Sequence, residues 1–233
     1  MDKIKIFLKP DSKYKSLIDS YHVFDGVVAI VYYLFLLVAY YILGVILEKK
    51  DVYLGYHVNI ILIILLLLCV VIRKQKFESI GFGKDNIKKS FRLGLVTAGL
   101  VFFMSFIPGV LSGKTLNSVS ELLSNFVYYL FVIALVEEII FRGFIQTRIY
   151  GMIKKPALAI LVVAFMFMTM HIPFQMARAE MGVVTFITNN YITLIFQFSW
   201  HVVFNIMYAK YNSIIAPTIF HTILNWSNYL FVR

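Results

Sequence analysis

The 233 residues are 61% hydrophobic and 15% charged, with a mean hydropathy of +0.82; an ordinary soluble domain is about 45–50% apolar and about 25% charged. That balance excludes a water-soluble globular fold and calls for a bilayer as solvent. The net charge of +10 does not point to nucleic acid, because the basic residues stand between apolar runs, where they serve as topology signals and anchors for anionic lipid.

The first 23 residues form a basic arm, and the membrane domain fills 24–233. The arm is not a cleavable signal peptide: it is too long and charged, the apolar run after it exceeds an h-region, and no A-x-A site follows. Crossing the hydrocarbon core takes about 20 apolar residues per helix. The pattern predicts an all-α, polytopic transmembrane bundle of about seven spans, within a range of six to eight, at 24–47, 57–72, 92–111, 121–147, 156–172, 187–209 and 213–231. The second and fifth are short, which implies tilt or local thinning. The stretch 173–186, with Pro173, Arg178, Glu180 and Gly182, is expected to be a loop or a surface helix. Cys69, the single cysteine, allows neither an internal disulfide nor a cysteine-based zinc site. Gly81-x-Gly83 lacks the rest of a phosphate loop and reads as a turn.

Basic residues alternate between loops. The arm has Lys3, Lys5, Lys9, Lys13 and Lys15; the loop after the second span has Arg73, Lys74, Lys76, Lys84, Lys88, Lys89 and Arg92. Arg148, Lys154 and Lys155 follow the fourth span, and Lys210 the sixth. The other loops carry fewer: Lys49 and Lys50, Lys114, Arg178, and Arg233 at the end. The asymmetry places the N-terminus in the cytoplasm and the C-terminus outside. An eighth span would break it.

The fourth span holds Glu137 and Glu138, in ALVEEIIFRGF, followed by Arg142. An ionised side chain at the bilayer centre costs about 2.5–3.5 kcal/mol on insertion scales, so these residues face the bundle interior or a wet cavity. Glu138 and Arg142, four apart, lie on one helical face and pair as a structural unit. Glu137 lies about 100° around the helix and is the freer carboxylate, suited to act as a general base. His171 ends the fifth span. His201 and Asn205 are four apart on the sixth, and His221 and Asn225 are four apart on the seventh. Imidazole and amide groups converging on a carboxylate could stabilise an oxyanion or hold a metal. By rise per residue, Glu137, His201 and His221 fall about 12–16 Å from the cytoplasmic ends of their spans, but His171 about 24 Å. Its depth is the misfit in this reading.

At these residues the chain resembles the CPBP intramembrane proteases, the CAAX-processing and bacteriocin-immunity or Abi family. The resemblance covers roughly 120–230 and rests on three motifs in order: Glu137-Glu138-x-x-x-Arg142 followed by Gly143, Phe167-x-x-x-His171, and His221-x-x-x-Asn225. It implies an endopeptidase that cuts a peptide or lipidated protein at the membrane. Glu137 would activate water with help from His171, His221 and Asn225 would stabilise the oxyanion, and Glu138–Arg142 would hold the architecture. Phe141 and Phe167 are candidate substrate contacts. His201 and Asn205 fall outside the motifs and are packing residues or minor substrate contacts. The resemblance leaves the cofactor open: either none is obligatory, or Glu137, His171 and His221 hold a divalent metal such as zinc. The lack of H-E-x-x-H favours water activated without one.

Serine-type chemistry needs a nucleophile in a Gly-flanked motif, which Ser105, Ser199 and Ser227 lack. Aspartyl chemistry needs two membrane aspartates, and the seven spans hold only Asp25, at a boundary. The alternative to an enzyme is a bacteriocin self-immunity or regulatory membrane protein that binds a peptide without cutting it. The expected partners are a peptide or protein substrate and membrane lipid, with oligomeric state left open. The Lys, Ile, Phe and Tyr richness suggests a bacterial cell membrane.

Overall fold

The computed structural model describes residues 9–232. Lys3, Lys5 and Arg233, and with them the first third of the arm, lie outside the described residues. Helices make up 81% of the described residues, and no strand is present among them. The helices are α1 (Ser12–Asp19), α2 (Val23–Lys50), α3 (Gly55–Ile72), α4 (Ile87–Leu111), α5 (Val119–Ile149), α6 (Pro156–Arg178), α7 (Val183–Tyr211) and α8 (Ile215–Trp226). Six of them, α2 to α7, are long and apolar enough to cross a membrane. Their outward faces carry exposed Val, Ile, Leu and Phe side chains, such as Val31, Ile64, Val96 and Phe196, as lipid contact requires.

The seventh predicted span is shorter than expected. The helix α8 has 12 residues, about 18 Å of rise, and continues only as a 3-10 turn over Ser227–Tyr229. It is an inner helix packed along α4. Isolated bridges pair Phe82 with Ser213 at one end and Leu116 with Phe231 at the other, so α4 and α8 run side by side in the same direction. The chain therefore traverses the bundle seven times, with the last pass too short to meet lipid along its whole length.

The basic loops gather at one end. Asp11 N–H donates to the Ala209 carbonyl at 2.9 Å, Lys13 pairs with Asp85, and Tyr14 packs edge-on against Tyr150 and Tyr208. The short helix α1 thus closes this end of the bundle. Burial pushes the Tyr14 phenol well above its usual pKa range.

The structure departs from the sequence expectation at 173–186 and at Arg148. The loop or surface helix predicted for 173–186 is largely the continuation of α6, which runs through Pro173 to Arg178. An interior proline costs about 3 kcal/mol; the extension is held by close packing on α2, where a Cβ at Gly44 would stand 2.5 Å from the Phe174 carbonyl oxygen. Arg148, read from sequence as a loop charge, is fully buried. Its guanidinium donates to the carbonyls of Ser79 (3.0 Å) and Gly143 (2.7 Å), and to Gln75 Oε1 (2.6 Å). Gln75 in turn donates to Asp25, which also receives Arg73. The α3–α4 loop is therefore a roof laced onto the end of α5. A Cβ at Gly143 would stand 2.6 Å from the Ile80 carbonyl oxygen, so the glycine after the E-E-x-x-x-R motif permits that contact. Gly81, with φ of +89°, takes the left-handed turn that a side chain would strain.

Candidate functional site

The acidic helix α5 is not a regular α-helix. An α-helical start at Val119–Tyr128, capped by reciprocal Ser118 and Glu121 contacts, gives way to π-helix over Tyr129–Ala134. A single α turn, Leu135–Glu137, follows, and then π-helix over Glu138–Gln146. Segments with i→i+5 bonding are rare and concentrate at functional sites. Glu137 sits at the junction between the two. Asn59 on α3 donates at 2.8 Å to the Val132 carbonyl within the first π segment.

Five predicted site residues come together. Glu137, Phe167, His171, His221 and Asn225 line one cavity of about 770 Å³ between α5, α6, α7 and α8. His171 lies beside Glu137 despite the depth misfit counted from sequence. That count started at a membrane surface, whereas the end of α5 lies under the α3–α4 roof.

Each histidine is oriented by a partner. His171 Nδ1 lies 2.7 Å from the Phe167 carbonyl oxygen; a carbonyl only accepts, so Nδ1 carries the proton and, in the neutral ring, Nε2 is a bare base. His221 Nδ1 lies 2.9 Å from Glu138 Oε1, and its Nε2 points to Glu137 Oε2 at 3.9 Å. That separation exceeds a direct hydrogen bond. The Glu137 Oε2 atom is buried without a hydrogen-bond partner among the described residues. The ring of Phe204 stacks on His221 at 4.8 Å.

The structural residues lie beneath. Glu138 and Arg142 are fully buried and form a 3.1 Å ion pair. The Arg142 guanidinium lies over the rings of Phe167 (4.2 Å) and Phe204 (4.7 Å), which supplies cation–π attraction in a desolvated place. The F-x-x-x-H motif acquires a physical reason: the Phe167 ring covers the arginine, and its carbonyl fixes the histidine. Phe141 is buried between Tyr33 and Phe167 and lines no part of the cavity. Nor do His201 and Asn205. His201 Nε2 bonds to Gln146 Oε1 at 2.9 Å, and Asn205 lines a separate pocket beside Lys15 and Tyr150 at the basic end.

Sequence reasoning missed Phe204, Gln146 and Asn59. Phe204 is three residues from His201, on the same face, but an aromatic in an apolar helix carries no signal of its own. Asn59 does stand out as a polar side chain inside an apolar run.

Two imidazoles with carboxylate or carbonyl partners and one free carboxylate are donor types that suit a divalent ion. The spacing does not fit: among the described residues, no three His, Cys, Asp or Glu side chains are grouped closely enough to hold one.

A multi-pass α-helical membrane protein with a sheltered acid–histidine centre is the class that this fold and geometry define. Residues 119–227 match the family model described as type II CAAX prenyl endopeptidase Rce1-like, a span that contains all three motifs. That match, over a little under half of the chain, supports a CPBP/CAAX intramembrane protease family assignment. No match was found among curated proteins or solved structures.

Proposed function

We propose that this protein is an intramembrane endopeptidase in which Glu137 activates a water molecule for attack on a peptide carbonyl. The carrying observation is that Glu137, whose Oε2 has no hydrogen-bond partner among the described residues, lines a 770 Å³ cavity together with His171, His221 and Asn225.

Glu137 takes a proton from the water as its oxygen bonds to the carbonyl carbon. The bare Nε2 of His171 lines the same cavity and orients that water. The oxyanion receives the Asn225 amide and, when its ring is protonated and donates from both nitrogens, His221. The C–N bond then breaks, and the proton held by Glu137 passes to the leaving nitrogen. The products are a carboxylate and an ammonium group, the second proton of the water passing from the new carboxyl to the amine, with one water consumed. The Glu138–Arg142 pair takes no part in bond making; it fixes His221 through Nδ1. The catalytic core is assigned to 120–230.

The substrate is a peptide or a lipidated protein end, and the family's description makes a prenylated Cys-aliphatic-aliphatic-X terminus the first to try. Orientation follows the basic residues, with the α1 end in the cytoplasm and the C-terminus outside, in a bacterial cell membrane. The test compares cells carrying wild type or Glu137→Ala by mass spectrometry of membrane and secreted peptides. Fragments that vanish in the variant, at equal protein level, support a peptidase. Identical profiles with a retained protective phenotype would favour a peptide-binding immunity protein.

A further inference from the structure

A second, smaller chamber touches the same carboxylate. It holds about 200 Å³ between α2, α3, α5 and α6, and Glu137 and His171 form part of its wall. The two residues thus stand in a partition, with the 770 Å³ cavity on one side and this chamber on the other. The rest of the chamber lining sets the hydroxyl and amide groups of Tyr40, Tyr53, Asn59, Tyr128 and Gln175 into a mostly apolar wall that includes Leu43, Ile133, Met170 and Phe174.

We propose that this chamber is the enzyme's water site, supplying the molecule that Glu137 consumes while the peptide fills the larger cavity. The proposal rests on the hydrolytic reading above. A peptidase in a bilayer faces a supply problem: the chain being cut occupies the wide cavity and displaces its solvent, yet each turnover uses one water. A separate reservoir on the far side of the base solves it. Liquid water takes about 30 Å³ per molecule and needs two to four polar partners, so 200 Å³ accommodates about six waters.

The polar groups in the wall are held in place. Asn59 is buried, receives the Tyr40 hydroxyl on its Oδ1 (3.2 Å) and gives its amide to the Val132 carbonyl (2.8 Å). The chamber wall is thereby tied to the π segment that leads to Glu137. At the outer end the hydroxyls of Tyr53 and Tyr128 meet at 2.8 Å, with Tyr56 edge-on to both rings. Gly55 lies directly under Tyr53; any Cβ there would collide with the phenol. On this reading a water molecule enters by exchanging hydrogen bonds with the two hydroxyls. Both α2 and α3 precede the family-matched segment 119–227, so the N-terminal half supplies one side of the chamber.

The test narrows the chamber from a wall residue that makes no polar contact. Leu43, buried on α2, lines it. Leu43→Phe and Leu43→Trp add volume in two steps, and thermal unfolding in detergent reports whether each remains folded; overpacking costs about 1–3 kcal/mol, which makes the smaller Phe step the safeguard. Kinetics use a quenched fluorescent farnesylated Cys-aliphatic-aliphatic-X peptide, or the peptide identified by mass spectrometry if that reporter is not cut. The expected result is a graded fall in kcat, reaching about tenfold or more for Trp, with KM within about twofold of wild type. A rise in KM at constant kcat would make the chamber a substrate side-chain subsite and overturn the proposal, as would unchanged kinetics in a folded variant. If wild type cuts no peptide while remaining folded, the hydrolytic reading itself fails, and that outcome is distinct from both.

Discussion

His221 is held at Nδ1 by Glu138 Oε1 at 2.9 Å, so that its other nitrogen faces Glu137. Adjacent glutamates thus carry separate tasks, one orienting an imidazole and the other left open to the cavity. The division arises because Glu138 already spends its charge on Arg142, beneath the aromatic rings of Phe167 and Phe204.

Breaking that pair from one side is expected to damage the fold. Arg142→Leu leaves Glu138 buried and uncompensated, and losing one partner of a buried ion pair costs about 3–5 kcal/mol. Accumulation in membranes and thermal unfolding in detergent should both drop sharply. Wild-type stability in Arg142→Leu would mean that the pair has no structural role.

Cavity residues and packing residues should separate in kinetics. Asn225→Ala removes a proposed oxyanion donor and should lower kcat about a hundredfold with stability retained. His201→Ala removes a buried partner of Gln146 and should instead lower stability, with kcat per folded molecule falling far less. Equal losses of kcat would place His201 in the chemistry.

The close seat of the α3–α4 loop on α5 gives a third expectation. Gly143→Val places methyl groups against the Ile80 carbonyl and should cost about 1–3 kcal/mol, read as a lower unfolding temperature. Gly99→Ala, with open space around its Cβ position, is the control.

Orientation can be read directly. In a Cys69→Ser background, Lys84→Cys and Lys114→Cys lie in loops at opposite ends of α4. An impermeant thiol reagent added to intact cells should label the second and spare the first. The reverse labelling would invert the topology.

The motif residues and the helical bundle were legible because charge in an apolar run is costly and stands out. That cost located Glu137, Glu138 and Arg142, and four-residue spacing identified the Glu138–Arg142 pair. Spacing could not reveal the π-helical backbone on either side of Leu135–Glu137, since hydrogen-bond shifts of this kind depend on tertiary partners such as Asn59 rather than on local residues. Pro173 misled for the opposite reason: its local signal to stop the helix is genuine, but packing on Gly44 outweighs it. Arg148 looked like a topology charge because a buried arginine and a loop arginine are identical in sequence; only the Ser79, Gln75 and Gly143 acceptors distinguish them. His201 and Asn205 shared the His-x-x-x-Asn pattern of the cavity pair, yet they sit on a face of α7 turned toward Gln146 and the basic end.

The central claim is that Glu137 activates the attacking water. The most direct measurement is cleavage in ¹⁸O-water by purified wild type, Glu137→Gln and Glu138→Gln, followed by mass spectrometry of the products. Wild type is expected to place one ¹⁸O in the new carboxylate, and Glu137→Gln, folded to the wild-type level, to lose about a hundredfold or more in kcat. Glu138→Gln should lose stability as well as rate. A folded Glu137→Gln that still cuts at the wild-type rate would contradict the account.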